Sequence, residues 1–95
     1  MKRSAYRFRL YVAGDAQNST RALANLGAFC RTHIPGRCEI EVVDVFREPK
    51  RALADRVFMT PTLIKLYPRP VRRIVGTLSQ PENLMEAIGL EVVLA

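Results

Sequence analysis

The sequence of 95 residues has no tryptophan, one histidine and two cysteines. Seven residues separate Cys30 from Cys38, a spacing that matches no zinc motif, and the lone His33 is interpreted as a helix-end cap or surface residue. Two thiols are too few for the disulfide framework of a small secreted domain. We therefore predict two reduced cysteines, bridged only if the intervening turn brings the thiols together, and neither a metal nor a cofactor.

Long apolar runs are also missing, since the longest lasts only a few residues. This excludes a transmembrane helix, and Met1-Lys2-Arg3 lacks the apolar core of a signal peptide behind it. The 48% of hydrophobic and 25% of charged residues are typical of a globular chain. We predict one cytoplasmic domain over residues 1–95, without a membrane partner, for which self-association would supplement a small core.

Positive charge exceeds negative charge, with 15 Lys and Arg against 9 Asp and Glu and a net charge of +6. Twelve of the basic residues are arginine, whose planar fork suits carboxylates. They are spread along the chain without a run of five, whereas a nucleic-acid binder of this size more often shows a concentrated basic stripe with exposed aromatics. A basic surface favours nucleic acid, acidic lipid or an acidic protein face as the partner, and the dispersed charge argues against nucleic acid.

The first half of the chain predicts a strand, a helix and a second strand. Tyr6 to Val12 alternates apolar and polar residues, which indicates a strand with one buried face. The helix is predicted to begin at an N-cap of Asn18 or Ser19 and to end at Pro35-Gly36. Its apolar residues at helical spacing are Leu23, Leu26, Cys30 and Ile34. Glu39 to Val45 is apolar on both faces and is predicted to be a central strand, parallel to the first in a right-handed βαβ unit.

The second half predicts a helix, a hairpin and a last helix. Pro49 opens a helix with Leu53 and Val57 on one side. The hairpin pairs a strand within residues 63–67 with one within residues 71–75. The last helix is predicted from a capping box, an apolar stripe and a C-cap glycine, formed by Ser79 and Glu82 with Pro81, by Leu84, Met85 and Ile88, and by Gly89. The order β-α-β-α-β-β-α is that of an α/β thioredoxin-like fold, with the proline of Thr60-Pro61 at the signature position before the third strand.

Two segments do not fit this order. Residues 57–59 and 90–94 both have a strand-like composition, and the latter is too apolar to be left in water. In a different topology residues 90–94 form a sheet strand and the middle hairpin converts to helices. Two packings of the second half would then be close in free energy. The competing explanation is that the element boundaries are displaced by a few residues.

The residues needed for thioredoxin-type catalysis are missing. Such an oxidoreductase has a nucleophilic cysteine at the N-terminus of the first helix, where the helix field lowers the pKa of the thiol. That place, Gly14 to Ser19, contains no cysteine, and Cys30 lies about three turns further along the helix. We therefore interpret the chain as a binding module and not an enzyme. A thiol-based redox protein using Cys30 is the alternative.

Basic residues on the predicted elements are candidates for binding. Arg21 projects opposite the apolar stripe of the first helix, and Lys65 lies on the third strand. Arg72 and Arg73 lie on the fourth strand, where successive residues point to opposite faces. One of these two arginines must therefore reach a carboxylate, an edge or a partner. Solubilising charge is the competing explanation.

Several motifs follow one another along the chain: Leu10-Tyr11-Val12-Ala13-Gly14, Asn18-Ser19, Val43-Asp44-Val45, Thr60-Pro61-Thr62-Leu63 and Pro70-Val71-Arg72-Arg73-Ile74-Val75-Gly76. Together they resemble the KaiB family of circadian clock proteins over nearly the whole chain. Thr77 and the segment between Ser79 and Gly89 resemble the non-cyanobacterial branch of that family.

The resemblance implies a non-enzymatic adaptor that binds the ring-shaped ATPase KaiC and, in cyanobacteria, sequesters KaiA. It implies a tetramer-forming ground fold of order β-α-β-β-α-α-β and a monomeric thioredoxin-like fold that binds KaiC. By motif match, the partner-binding residues are Arg21, Arg56, Lys65, Arg72 and Arg73, and Gly89 and Glu91 bias the fold equilibrium. For this branch we expect a KaiC-like ATPase as the partner, ahead of a KaiA-like or kinase partner. A third hypothesis is a constitutive interaction domain like that of the kinase SasA.

Overall fold

Strands and helices alternate along the chain, which the computed structural model describes for residues 5–89. The elements are β1 (Tyr6–Val12), α1 (Gln17–His33), β2 (Cys38–Asp44), α2 (Pro49–Ala54), β3 (Thr62–Tyr67), β4 (Arg72–Val75) and α3 (Pro81–Ile88). This order confirms the predicted β-α-β-α-β-β-α arrangement, including the hairpin of β3 and β4.

The four strands form one sheet in the order β2-β1-β3-β4. β1 is parallel to β2, which confirms the βαβ unit, and the other two pairs are antiparallel. The prediction that β2 is central is wrong, because β2 lies at an edge of the sheet built by residues 5–89. Ile40 packs against the core on one face and Val43 against that on the other. Both faces of β2 therefore carry apolar residues although the strand is hydrogen-bonded on one side.

Helices cover both faces of the sheet. α1 and α3 pack on one face over a core that includes Phe8, Leu10, Leu26, Leu63, Leu84 and Ile88. On the other face Ala52 of α2 packs with Tyr11, Val43 and Ile64. The prediction of one buried face for β1 is wrong at Tyr11, which is fully buried beneath α2 because β1 is a central strand.

The start of α1 differs from the prediction. Its N-cap is Ala16, without a side-chain cap bond, so neither Asn18 nor Ser19 caps the helix. Ser19 lies inside the helix, buried, where its hydroxyl accepts a hydrogen bond from the backbone N–H of Ala13 at 3.0 Å. The serine therefore ties the helix to the end of β1 instead of closing its first turn.

The buried stripe of α1 also differs from the prediction. Leu23 is exposed, because it lies about 100° around the helix from the buried Ala22. The stripe runs through Ser19, Ala22, Leu26, Phe29 and Cys30. The buried residues near the helix start, Ser19 and Ala22, are small, and the larger Leu23 faces outward.

α2 begins at Pro49, as predicted, but buries Ala52 instead of Leu53. Residues 57–59 after it form a loop and not the alternative strand. α3 begins at Pro81 and is followed by Gly89, whose φ of +78° is the left-handed conformation of a C-cap glycine. The predicted capping box is wrong, since Gln80 is the N-cap and no side chain caps the helix.

The loop that enters β3 contains the predicted signature proline. The peptide bond between Thr60 and Pro61 is cis, and Pro61 is buried directly before the strand. The other strand-like segment, residues 90–94, lies outside the described range together with Glu91. Within residues 5–89, every helix is too short or too polar to cross a membrane.

Candidate functional site

Arg56 and Arg73, two of the five predicted binding residues, are brought together by the fold. Arg56 follows α2 in a loop with a φ of +55°, a left-handed conformation uncommon for residues other than glycine. The guanidinium of Arg73 on β4 donates hydrogen bonds to the carbonyl oxygens of Arg56, at 3.3 Å, and of Asp55. Arg73 thus reaches backbone carbonyl oxygens, whereas a carboxylate, an edge or a partner was expected, and the side chains of Arg72 and Arg73 are both exposed.

Lys65 and Arg72 lie opposite each other on β3 and β4. Lys65 is only 4% exposed, and burial, followed by the charge of Arg72, lowers the pKa of its ammonium group below the ordinary value. Arg72 is exposed and lines an open groove between β4 and α3 together with Arg73 and Glu86. Arg72 is therefore the member of this pair that the surface presents.

Arg21 is separated from Arg56 by the sheet. It is exposed on α1, and α1 covers the opposite face of the sheet from α2 and the Arg56 loop. Gly89, the predicted fold-bias residue within the described range, is the C-cap at the C-terminal end of α3. The structure thus groups Arg56, Arg72 and Arg73 around β4 and places Arg21 on a different helix.

A charged network beneath α2 was missed by sequence reasoning. Arg9 on β1 donates to Asp55 Oδ2 at 2.9 Å and to Glu41 Oε1 at 2.8 Å, and the hydroxyl of Tyr11 donates to the same Asp55 oxygen. Arg51 adds a bond to Glu41 Oε2 at 2.9 Å. Only the i, i+2 placement of Arg9 and Tyr11 on one strand face signals this network, because Asp55 is far away along the chain.

The network shifts the acidity of its members. Burial alone would raise the pKa of Asp55, but hydrogen bonds from Tyr11 and Arg9 outweigh it and hold that pKa below the ordinary value. Bonds from Arg9 and Arg51 lower the pKa of Glu41. Burial and the bond to Asp55 raise the pKa of Tyr11 to about 12. The phenol is therefore neutral and the carboxylates are charged near neutral pH, which holds Asp55 and the adjoining Arg56 loop on the sheet.

Large apolar side chains stand out around this loop. Leu53, Phe58 and Met59 are 69%, 83% and 64% exposed, although each has the size of a core residue. All three flank Arg56 within seven residues of chain. We name residues 53–59 together with Arg73 the α2-loop surface. Its mixture of exposed apolar groups and arginine is suited to binding a protein face that is apolar and acidic.

The two cysteines lie at the other end of α1 from its start at Gln17. Cys30 is buried in the last turn of α1, and Cys38 is the half-buried first residue of β2. Their Sγ atoms are 2.7 Å apart, so the intervening turn does bring the thiols together. Burial raises the pKa of both thiols, the opposite of what a catalytic nucleophile requires.

Comparison with known proteins gives one consistent family match. The family model described as KaiB domain matches residues 9–89. The chain is 43% identical to the circadian clock oscillator protein KaiB of Prochlorococcus marinus over 95% of this chain and 75% of the relative. It is 42% identical to the protein of the same name from Acaryochloris marina, over 95% of this chain and 85% of the relative.

Solved structures show the fold type. The N-terminal domain of Synechococcus elongatus SasA matches 100% of this chain and 93% of its own with a TM-score of 0.76 and 15% identity. Mitochondrial thioredoxin 3 from Saccharomyces cerevisiae matches 93% of this chain and 80% of its own with a TM-score of 0.71 and 17% identity. The predicted thioredoxin-like fold is therefore confirmed.

Proposed function

The chain belongs to the KaiB family, and on that premise we propose that it is a non-enzymatic adaptor that binds a KaiC-type ring ATPase. In this proposal residues 1–95 act as one domain, and binding modulates the ATPase and phosphorylation cycle of the ring. The relatives named circadian clock oscillator proteins support a role as a clock regulator. A stress-related timing role is the form of this proposal that suits the features of the non-cyanobacterial branch.

One observation carries the proposal: the α2-loop surface exposes apolar side chains that no buried core of residues 5–89 uses. Leu53, Phe58 and Met59 are exposed and lie near Arg56 along the chain. The guanidinium of Arg73 holds this loop in place because it donates a hydrogen bond to the carbonyl oxygen of Arg56. Interfaces of small proteins concentrate binding energy in such aromatic and arginine anchors. The network of Arg9, Tyr11 and Asp55 beneath the loop keeps this surface preformed, which lowers the entropic cost of binding.

The charge of the surface indicates the chemistry of the partner. Arg56, Arg72 and Arg73 contribute positive charge around β4, and the chain as a whole carries +6. A partner face with carboxylates around an apolar centre would complement it. Arg21 and Lys65 complete the proposed set, with Arg21 as a separate contact on α1 and Lys65 as the buried residue opposite Arg72 on β3.

The proposal includes a second fold, of order β-α-β-β-α-α-β, in a homotetramer. Nine large hydrophobic residues are exposed in the described range, and six of them lie beyond residue 50: Leu53, Phe58, Met59, Tyr67, Val71 and Val75. A rearranged second half that buries part of this surface between subunits would regain apolar burial. Gly89 and Glu91 are the proposed positions that bias the two folds, and concentrated protein without its partner favours the oligomer by mass action.

The alternative of a thioredoxin-type oxidoreductase using Cys30 is not favoured by the geometry. Cys30 is buried, distant from the start of α1, and its thiol pKa is raised by burial. A catalyst would need an exposed thiol with a lowered pKa. If the chain shows any residual disulfide-reductase activity, replacing both cysteines by serine should leave that activity unchanged.

Size-exclusion chromatography with a cognate KaiC-type ATPase tests the proposal. The full chain is incubated with the ring for hours, with and without ATP, and the fractions are analysed for co-migration. Co-migration that is weakened by Phe58→Ser and kept by the control Arg31→Ala supports the α2-loop surface. Absence of co-migration at every ratio overturns the proposal for that pair. The same chromatography with a KaiA-like protein or a kinase tests whether the chain binds these partners.

A further inference from the structure

We propose that Cys30 and Cys38 are a redox-modification site, in which the two thiols form a reversible intramolecular disulfide by exchange with a low-molecular-weight disulfide such as glutathione disulfide. The site lies at the C-terminal end of α1, away from the α2-loop surface, and does not depend on the proposed function.

The first support is the distance between the thiols. The two Sγ atoms are 2.7 Å apart, closer than two unbonded sulfur atoms ordinarily pack. A disulfide holds its sulfur atoms about 2.0 Å apart, so bonding needs only a small further approach.

The second support is that the backbone enforces this approach. The N–H of Ile34 donates to the carbonyl oxygen of Cys30 at 3.0 Å, and the N–H of Arg37 donates to that of Ile34 at 3.1 Å. The carbonyl oxygen of Arg37 accepts from Tyr6 at 2.9 Å, which fixes the entry into β2. Cys38 follows directly and pairs with Tyr6 across the parallel strands. The turn between the cysteines is therefore fixed by backbone hydrogen bonds, and it brings the two thiols together.

Accessibility sets the order of the exchange. Cys38 is half-buried, whereas Cys30 is buried in the core between α1 and the sheet. The Cys38 thiolate attacks one sulfur of glutathione disulfide, which forms a mixed disulfide and releases one glutathione thiolate. The Cys30 thiolate then attacks the Cys38 sulfur and releases the second glutathione. Two protein thiols are oxidised to one disulfide, one glutathione disulfide is reduced to two glutathione molecules, and the two protein protons go to the two leaving thiolates.

The site differs from the dithiol of a thioredoxin enzyme in place and in reactivity. It lies at the C-terminal end of the helix, where the helix field does not stabilise a thiolate. Burial raises the pKa of both thiols, and at Cys30 the hydrogen bond with Cys38 and the charge of Arg31 offset this only in part. Exchange is therefore slow near neutral pH, which suits a lasting modification and not a catalytic cycle.

The bond would join α1 to β2 inside the β1-α1-β2 unit. Linking these two positions restricts the unfolded chain and so stabilises the unit that contains them. The second half of the chain, where two packings are proposed to compete, lies outside the linked loop. Oxidation therefore acts on the part of the molecule that both proposed folds share.

Mass spectrometry of the full chain in glutathione redox buffers tests this site. We expect the folded monomer to lose the mass of two hydrogens as glutathione disulfide increases, to lose both alkylatable thiols together, and to regain both with excess glutathione. Proteolysis should give a linked peptide containing Cys30 and Cys38. Cys30→Ser should instead accumulate a glutathione adduct at Cys38.

Two results would overturn the site. One is retention of both alkylatable thiols in the folded wild-type chain after long equilibration with excess glutathione disulfide. The other is their loss only as glutathione adducts or as linked dimers. The wild-type titration and the linked peptide decide the question even if Cys30→Ser fails to fold, because the chain contains only these two cysteines.

Discussion

Arg73 on β4 donates a hydrogen bond from its guanidinium to the carbonyl oxygen of Arg56, across a distance of 3.3 Å. Two residues that share only their positive charge in the sequence thus have different roles. Arg73 holds the loop through its backbone, and Arg56 leaves its own side chain free to point outward. This relationship separates the residue that shapes the α2-loop surface from the residues that the surface presents.

Replacing Arg73 should therefore affect both binding and stability. We expect Arg73→Ala to weaken binding to the KaiC-type ATPase by about tenfold or more and to lower the free energy of unfolding by about 1 kcal/mol, because the loop loses its anchor. Arg73→Lys keeps the charge but not the forked geometry, and should recover only part of the affinity. Isothermal titration and urea unfolding measure the two effects, with Arg31→Ala as the exposed control. Equal affinities for all four proteins would refute the role of Arg73.

Phe58 is expected to affect binding but not stability. Its side chain is exposed, so Phe58→Ser should change the free energy of unfolding by less than about 0.5 kcal/mol. If the ring is an anchor of the interface, affinity for the ATPase should fall by tenfold or more, to about the extent of other aromatic hot spots. Val42→Ser on the β2 edge, also exposed, is the matched control. A normal affinity of Phe58→Ser would remove this part of the surface from the interface.

Tyr11 tests the charged network under α2. In Tyr11→Phe the ring still fills the core, but the bonds of the hydroxyl to Asp55 and to the carbonyl oxygen of Arg51 are lost. We expect the free energy of unfolding to fall by about 1 to 2 kcal/mol, because the Asp55 carboxylate loses a donor in a partly buried place. Chemical denaturation measures this change. Tyr6→Phe, at the start of β1, is the control, and the same loss in both variants would contradict a specific role for the network.

The loss of stability at acidic pH should depend on the carboxylates of Asp55 and Glu41. The folded-state pKa values of Asp55 and Glu41 lie below their ordinary values. Their contribution is therefore complete above the unfolded pKa values of about 4 and is lost as the pH falls through the folded values. Urea unfolding between about pH 6 and pH 3 should show a steeper loss in the wild type than in Asp55→Asn. Parallel curves for the two proteins would show that Asp55 does not contribute.

Oxidation of the cysteine pair should be visible as heat stability. A disulfide between Cys30 and Cys38 would reduce the conformational entropy of the unfolded chain and so raise the free energy of unfolding by roughly 2 to 3 kcal/mol. The melting temperature of the oxidised monomer should therefore rise on the order of 10 °C. Since both thiol pKa values are raised by burial, the oxidation rate should keep rising with pH up to at least about pH 9. Differential scanning fluorimetry of both redox forms measures the shift. Identical melting temperatures after verified oxidation would contradict the stabilising effect.

Local patterns were sufficient to predict the element order. Period-two alternation in β1, helical spacing in α1 and the Pro and Gly residues at helix ends all depend on neighbours in the chain. The errors concern partners distant in sequence. β2 is apolar on both faces yet lies at an edge of the sheet built by residues 5–89, and Leu23 is exposed because it lies about 100° around the helix from the buried Ala22.

The candidate site residues divide in the same way. Arg56, Arg72 and Arg73 are proposed from family motifs, since nothing local distinguishes them from solubilising arginines. The Arg9–Asp55 pair joins β1 to the end of α2 and leaves no local pattern. The approach of Cys30 to Cys38 depended on a turn whose path composition does not specify, and only its hydrogen bonds show that the thiols meet.

In the sheet that residues 5–89 form, the edge position of β2 affects how copies of this chain can pair edge to edge. Its exposed acids are neutralised by their own chain, Glu39 by Arg7 at 3.5 Å and Glu41 by Arg9 and Arg51. The opposite margin of the sheet carries the arginines of β4. Copies joined head to tail through these margins would form closed rings or open filaments, and the internal pairing removes much of the attraction that would drive such assembly.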